Sequence, residues 1–286
     1  MPRRLGLKAW GRKARFLLSM SPHIRAALPR QFEQLDISSY KTTWFGHDGI
    51  DFNEERQLEL LGRWKREYSG LFDLLRSNPS INTRSRGRPF IDNGWYPTPD
   101  AETYAAMIAD YRPSAVIEIG GGFSTLIARA TLRHLRLPTL LIVVDPAPRI
   151  DVREAADQVI HEPIEQLDPE KLPLEGKVLM FVDSSHVSQP GGDVHFLYNG
   201  LLLQLRTGSL VHAHDIFIPY DYPPRYQARL WSEQYVLQAL LSYSTRWSVV
   251  FSAYQMSTSY PEQMRETFGG SVGPEQQGTS FWFEVR

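Results

Sequence analysis

The chain has no cysteine among its 286 residues. That excludes disulfides, thiolate metal sites and cysteine nucleophiles, and it fits a reducing compartment, so a cytoplasmic location is expected. Long apolar runs are missing too. None approaches the roughly 18–20 residues needed to span a bilayer. Phe16-Leu17-Leu18 is too short for the apolar core of a signal peptide, so no secretion signal is expected. Residues 1–30 lack Asp and Glu but carry eight Lys/Arg: Arg3, Arg4, Lys8, Arg12, Lys13, Arg15, Arg25 and Arg30. The rest of the chain holds 23 basic and 32 acidic side chains. A body that is net acidic is a poor match for nucleic acid, and no such partner is expected.

Within this basic start, Trp10, Ala14, Leu17 and Leu18 fall at helical spacing with basic residues between them. Residues 1–40 therefore read as an arm. It is suited to packing on the body or on a second copy in a homo-oligomer, or to peripheral contact with an anionic membrane. Residues 41–90 read as a helical extension. Its main element is a helix over 53–76, with Asn53 as N-cap, Glu54 and Glu55 in the first turn, and an apolar stripe of Leu58, Leu61, Tyr68, Leu71, Phe72 and Leu75. Ser77-Asn78-Pro79 stops it, and a polar, Arg-rich loop follows over 79–90.

From 91 to 286 the pattern alternates. A helix near 100–110 leads to a strand over 114–119 and a helix over 124–136. Strands follow at 139–144, near 158–161 and at 178–182. A helix near 193–206 then leads to a strand at 209–213. This alternation predicts a parallel sheet covered on both faces. After a helix over 225–243, strands at 247–252 and 279–285 are separated by a Gly/Pro/Gln-rich loop. With no helix expected between them, they are predicted to pair antiparallel at one edge.

The most informative segment is Ala115-Val116-Ile117-Glu118-Ile119-Gly120-Gly121-Gly122-Phe123-Ser124-Thr125. A buried strand that turns into a helix on glycines lets a ligand approach bare backbone. A dinucleotide loop needs G-x-G-x-x-G, and here the third glycine is absent. Glu118 ends its strand facing the loop, placed to accept from an amino group or a ribose hydroxyl. Asp145 ends the next strand, where an acid accepts from ribose hydroxyls.

This combination resembles the class I S-adenosylmethionine-dependent methyltransferases. Within them, Trp95-Tyr96-Pro97-Thr98-Pro99-Asp100-Ala101-Glu102, Val182-Asp183-Ser184-Ser185-His186 and His212-Ala213-His214-Asp215-Ile216-Phe217 are similar to the small bacterial family called type 24. The resemblance implies a Rossmann-like α/β fold with a mostly parallel seven-stranded sheet, a terminal antiparallel β hairpin and an N-terminal helical extension. It implies S-adenosylmethionine as cofactor, contacted by Glu118, Gly120, Gly121, Gly122, Ser124 and Asp145, with Glu162 near the adenine.

Asp183 and Asp215 end neighbouring strands at the carboxyl edge of the sheet, where parallel α/β proteins bind ligands. His186 follows Asp183 by three residues, and His214 adjoins Asp215. Two readings stay open. In one, Asp183, His214 and Asp215 hold a divalent metal ion and His186 takes the acceptor's proton. In the other, a His/Asp pair is a metal-free base. His186 is the expected base in both, with Asp183 and Asp215 shaping the site. His212 is read as a hydrogen-bonded strand residue, and Asp193 and His195 as helix caps. The aromatic loop over 216–225 is read either as a wall for the acceptor or as a packed loop that positions the helix over 225–243.

The expected activity is methyl transfer to a hydroxyl of a sugar, glycan or secondary metabolite. Two alternatives remain: a nicotinamide-dependent oxidoreductase on a similar sheet, and a non-catalytic cofactor-binding scaffold recruited through the basic arm.

Overall fold

A computed structural model describes residues 49–84, 90–227, 229–269, 272 and 276–286. The arm read at 1–40 lies outside the described residues.

Seven strands form one sheet: β1 (Ala115–Ile119), β2 (Leu140–Val144), β3 (Gln158–Ile160), β4 (Val178–Val182), β5 (Leu210–Ala213), β6 (Trp247–Ser252) and β7 (Phe281–Val285), in the order β3-β2-β1-β4-β5-β7-β6. The first five are parallel. Ile117 of β1 lies level with Ile142 of β2 and Met180 of β4. β7 runs antiparallel between β5 and β6, with His212 opposite Trp282 and Trp247 opposite Val285. This is the Rossmann-like sheet with a reversed terminal pair that the alternating pattern predicts. The chain moves outward from β1 to β3, then returns to place β4 on the other side of β1. Such a reversal opens a crevice at the carboxyl ends of the two central strands.

β1 and β4 are buried at every position. Successive side chains point to opposite faces, so each strand feeds two cores. Val116, Leu141, Leu179, Phe181 and Trp282 face one layer, while Ile117, Ile119, Ile142, Met180 and Phe283 face the other. The first layer contains α1 (Glu54–Glu67), α2 (Ser69–Ser77), α3 (Asp100–Tyr111) and α4 (Phe123–Leu135). Leu61, Trp64, Leu71, Phe72 and Leu75 are buried in the same cluster as Tyr104, Phe251 and Phe268. The helices at 54–77 are thus built into the core of the sheet. Among the described residues, no helix is long and apolar enough to cross a membrane.

Four local expectations need correction. The helix read over 53–76 is broken at Tyr68, whose hydroxyl donates to Asp110 at 2.7 Å. Asn53 occupies the N-cap position but does not cap; its amide donates to the Val249 carbonyl at 2.8 Å, tying the helix start to β6. The helix read over 193–206 begins as α5 (Asp193–Phe196) and widens into a π turn over Leu197–Leu201, where Gly200 lends little helical preference. The helix read over 225–243 is two pieces, α6 (Pro224–Gln227) and α7 (Glu233–Leu241). Two backbone N–H groups at the start of α7, those of Ser232 and Glu233, donate to the His186 carbonyl at 2.8 and 3.1 Å.

The segment between β6 and β7 also differs. It contains α8 (Ala253–Ser259) and α9 (Pro261–Phe268). Their start signals are local: Ser252 Oγ accepts the Gln255 N–H, and Pro261 opens α9 where its missing N–H costs nothing. The two strands nevertheless pair antiparallel at the sheet edge.

Candidate active site

The glycine loop follows β1. Gly120 has φ +91°, and a Cβ there would lie 2.2 Å from the Asp183 carbonyl oxygen. A Cβ on Gly121 would lie 2.6 Å from Val143 Cγ1. Both glycines are therefore demanded by the fold itself. Gly122 is different: its φ of 176° is open to any residue, and a Cβ would meet nothing within 4 Å. The loop thus leaves a space beside Gly122 that no atom of the described residues fills. Its position at the N-terminus of α4, a helix of thirteen residues, suits a nucleotide-like ligand.

Asp145, just past β2, accepts the Gly121 N–H through Oδ2 at 2.8 Å and the Ala147 N–H through Oδ1 at 2.8 Å. The carboxylate is partly exposed and stands beside the loop. Ser124 is buried in the first turn of α4. Glu118 is fully buried, with Tyr104 donating to one carboxyl oxygen at 3.0 Å and Thr125 to the other. Burial pushes its pKa up to about 7, against the pull of its hydroxyl donors. Glu162 lies on the surface, 3.4 Å from the Lys171 ammonium.

Asp183 and Asp215 stand past the ends of β4 and β5 with His186 and His214 between them. The four side chains do come together. His186 is held in the left-handed region at φ 61°. Its Nδ1 is 2.6 Å from Glu233 Oε2, and its Nε2 is 3.2 Å from Asp183 Oδ1 and 3.9 Å from Asp215 Oδ2. Glu233 is fully buried and also accepts from the Tyr198 hydroxyl at 2.7 Å. Burial alone would discharge His186, but the hydrogen bonds and charges of Asp183 and Glu233 outweigh it and raise its pKa to about 10. At neutral pH the ring is protonated on both nitrogens. His186, read from its spacing as the base, thus has a carboxylate at each ring nitrogen.

His214 repeats the pattern. Its Nδ1 lies 3.7 Å from Asp183 Oδ1, and its Nε2 lies 3.6 Å from Asp100 Oδ2 and 3.2 Å from Thr279 Oγ1. Burial opposes its charge, yet Asp215, Asp100 and Asp183 together raise its pKa well above the ordinary value. Asp183 responds in kind. Burial would raise it, but His186 and His214 hold its carboxyl well below the usual range. Asp215 takes a left-handed φ of 55° and accepts from Thr279 Oγ1 at 3.3 Å.

The donor set proposed for a metal ion does not fit one. His214 Nδ1 lies 3.7 Å from Asp183 Oδ1 and 3.9 Å from Asp215 Oδ2, and its Nε2 is turned to Asp100 and Thr279. Among the described residues, no three His, Asp or Glu side chains are grouped to hold a metal ion.

The remaining expectations resolve simply. His212 is buried with Nε2 2.9 Å from Ser280 Oγ, and burial keeps it neutral. Asp193 accepts the Ser185 N–H and hydroxyl at 2.7 and 2.6 Å, so it pins the turn after β4. His195 is exposed beside Asn199. In the loop after β5, Phe217 and Tyr222 pack with Val187 and Trp231. The Trp231 ring centroid is 4.3 Å from that of His186.

Sequence reasoning missed Glu233, Asp100, Thr279 and Trp231. Glu233 and Trp231 fall in a stretch that reads as a long helix, and Thr279 reads as the start of a strand. Asp100 has an accessible signal, since a Trp-Tyr-Pro-Thr-Pro run precedes it. It is buried and accepts the Thr279 and Ser280 N–H groups at 2.9 and 3.0 Å, stitching α3 to the start of β7.

No family model matches the chain. Over 129 residues, 42% of its length, it is 32% identical to an uncharacterized protein of Archaeoglobus fulgidus. The match covers 55% of that protein, so the chain spans about half the length of the curated relative. Among solved structures, it is similar to an S-adenosylhomocysteine-bound methyltransferase of Podospora anserina, at 14% identity, a TM-score of 0.43, and coverage of 100% of this chain and 98% of that one. It is also similar to a Bacillus cereus O-methyltransferase in complex with S-adenosylhomocysteine, at 12% identity, a TM-score of 0.41, and coverage of 80% and 91%. These likenesses are of fold alone.

Proposed function

We propose that the chain is an S-adenosylmethionine-dependent methyltransferase acting on a hydroxyl of a sugar, glycan or secondary metabolite. The observation that carries this reading is Gly122, the one glycine of the loop that the protein's own packing does not require. Gly122 stands at the start of α4, next to the Gly121 whose N–H Asp145 accepts, so a nucleoside on this loop would have a helix N-terminus and a carboxylate for its ribose hydroxyls. The motifs at 95–102, 182–186 and 212–217 support the same reading and its narrower assignment to the type 24 family.

The bound cofactor supplies a methyl group on a sulfonium, ready for in-line displacement by oxygen. The chain's residues have to hold the acceptor and manage its proton. Asp183 is the group an acceptor can reach. Its side chain is 41% exposed, against 17% for Asp215 and 7% for His186. In this proposal the acceptor hydroxyl donates to Asp183, which takes its proton as the oxygen gains the methyl group, while the His186 and His214 rings behind hold that carboxylate in place. Asp215 and Glu233 keep those rings charged and aimed. The buried rings of Trp231 and Tyr222 pack together, and Trp231 braces His186 from that side.

Calorimetric titration of the folded protein with S-adenosylmethionine and S-adenosylhomocysteine tests the reading. Binding at micromolar concentrations is expected. No heat with either compound, together with binding of a nicotinamide dinucleotide, would replace it with an oxidoreductase.

A further inference from the structure

An acid two residues before a glycine turn is placed to reach outward to a ligand. Glu118 turns inward instead. Its side chain is fully buried, and both carboxyl oxygens are taken: Oε1 by the Tyr104 hydroxyl of α3 at 3.0 Å, Oε2 by the Thr125 hydroxyl of α4. Thr125 is itself fully buried and has a second task. Its hydroxyl oxygen accepts the N–H of Gly122 at 3.1 Å, and its own N–H returns to the Gly122 carbonyl at 3.1 Å.

A directed series of hydrogen bonds results. A threonine hydroxyl has one proton and two lone pairs. With the proton committed to Glu118, a lone pair is left for the Gly122 N–H. Without an acceptor at Glu118 the hydroxyl is free to rotate, and its hold on Gly122 loses its direction. The series ends on the loop glycine that faces open space. Backbone that meets a ligand binds best when it has no reorganisation left to do.

We propose that Glu118 serves cofactor binding as a positioning residue: it fixes the Gly122 backbone through Thr125, with Tyr104 bracing its far oxygen, and does not itself touch the cofactor. This inference rests on the reading of the glycine loop as the S-adenosylmethionine site. It gives Thr125 and Tyr104 roles that their residue types alone do not announce. It also accounts for an acid that lies beneath the loop with no solvent-facing atom.

The test uses the full chain and S-adenosylhomocysteine as the probe. Thr125→Val keeps the side-chain shape, removes both hydroxyl contacts, and is expected to weaken binding about tenfold. Thr125→Ser restores the hydroxyl and is expected to stay within about twofold of wild type. The double variant with Glu118→Gln is expected to bind no more weakly than Thr125→Val alone, because both changes act through one contact. Without any ligand, amide hydrogen exchange over residues 120–124 is expected to quicken about tenfold in Thr125→Val while the central strands keep their protection. Unchanged affinity and exchange in Thr125→Val overturn the proposal. A Glu118→Gln loss that multiplies with the Thr125→Val loss also overturns it, since that marks direct contact with the cofactor. Failure of wild type to bind the probe overturns the methyl-donor reading instead, and the exchange measurement then decides the loop-positioning role separately.

Discussion

Replacing Glu118 with glutamine removes a charge while keeping the size of a fully buried side chain and one of its acceptor oxygens. Burial raises this carboxyl from an ordinary 4.5 to about 7, and the nearby Asp183 adds to the rise, while donors from Thr125, Tyr104 and Ser124 pull the other way. The folded protein therefore binds the Glu118 proton more tightly than the unfolded chain does. The stabilisation tied to that proton is complete below pH 4.5 and is lost as pH rises through about 7. At about 1.4 kcal/mol per pH unit, that window corresponds to about 3 kcal/mol. Other groups in the site titrate as well, but they are common to both proteins. The difference between the two stabilities isolates Glu118.

Urea unfolding at pH 5, 6, 7 and 8 measures that difference. Relative to wild type, Glu118→Gln is expected to gain about 2–3 kcal/mol between pH 5 and pH 8, with an unchanged dependence on denaturant. Most of the gain is expected below pH 7, because above it the wild-type carboxyl is already ionised. Two stability curves that stay parallel across this range would refute the argument. A gap that opens in the opposite direction would mean that the hydroxyl donors outweigh burial and that the native state prefers the carboxylate.

Two further expectations concern the loop and the site. Gly120→Ala is expected to cost at least about 2 kcal/mol, since it combines a φ of +91° with a backbone clash, whereas Gly122→Ala stays within about 1 kcal/mol of wild type by thermal or urea unfolding yet binds S-adenosylhomocysteine about tenfold more weakly. The raised pKa of His186 means that its stabilising charge is complete below 6.5 and lost as pH climbs through about 10; nitrogen NMR is expected to find the ring protonated at pH 8, and Glu233→Gln to lower its pKa by more than about one unit. A neutral ring at pH 8 in wild type would remove the charged role given to it.

The sheet was legible because its signals are local and periodic. Apolar runs that stop at Gly120, Asp145, Asp183 and His214 mark both the strands and the carboxyl edge of the sheet, where parallel α/β proteins bind ligands. Broken helices were less legible, because their interruptions are imposed from elsewhere in the chain. Nothing between Pro224 and Leu241 announces that the N–H groups of Ser232 and Glu233 are spent on the His186 carbonyl. The two helices between β6 and β7 were hidden differently: their start signals at Ser252 and Pro261 lie in a segment whose polar composition reads as loop.

The candidate site divides along the same line. Residue type and strand-end position found Asp183, His186, His214 and Asp215, but they could not say which atom faces which. Those pairings set the surroundings of two of the residues. His186 has the right place for a base, yet Glu233, which lies 47 positions away, supplies the second carboxylate that keeps its ring charged. His214 turns Nδ1 toward Asp183 and Asp215, while Asp100, brought in by α3, faces the opposite ring nitrogen and fixes the orientation of the ring. Both decisive partners are buried acids on helices: 0% of Glu233 and 3% of Asp100 is exposed. A helix acid is read from sequence as a cap or a solvated charge, because most are. Only burial against an imidazole turns it into the group that sets a proton's position, and burial is a property of the folded chain.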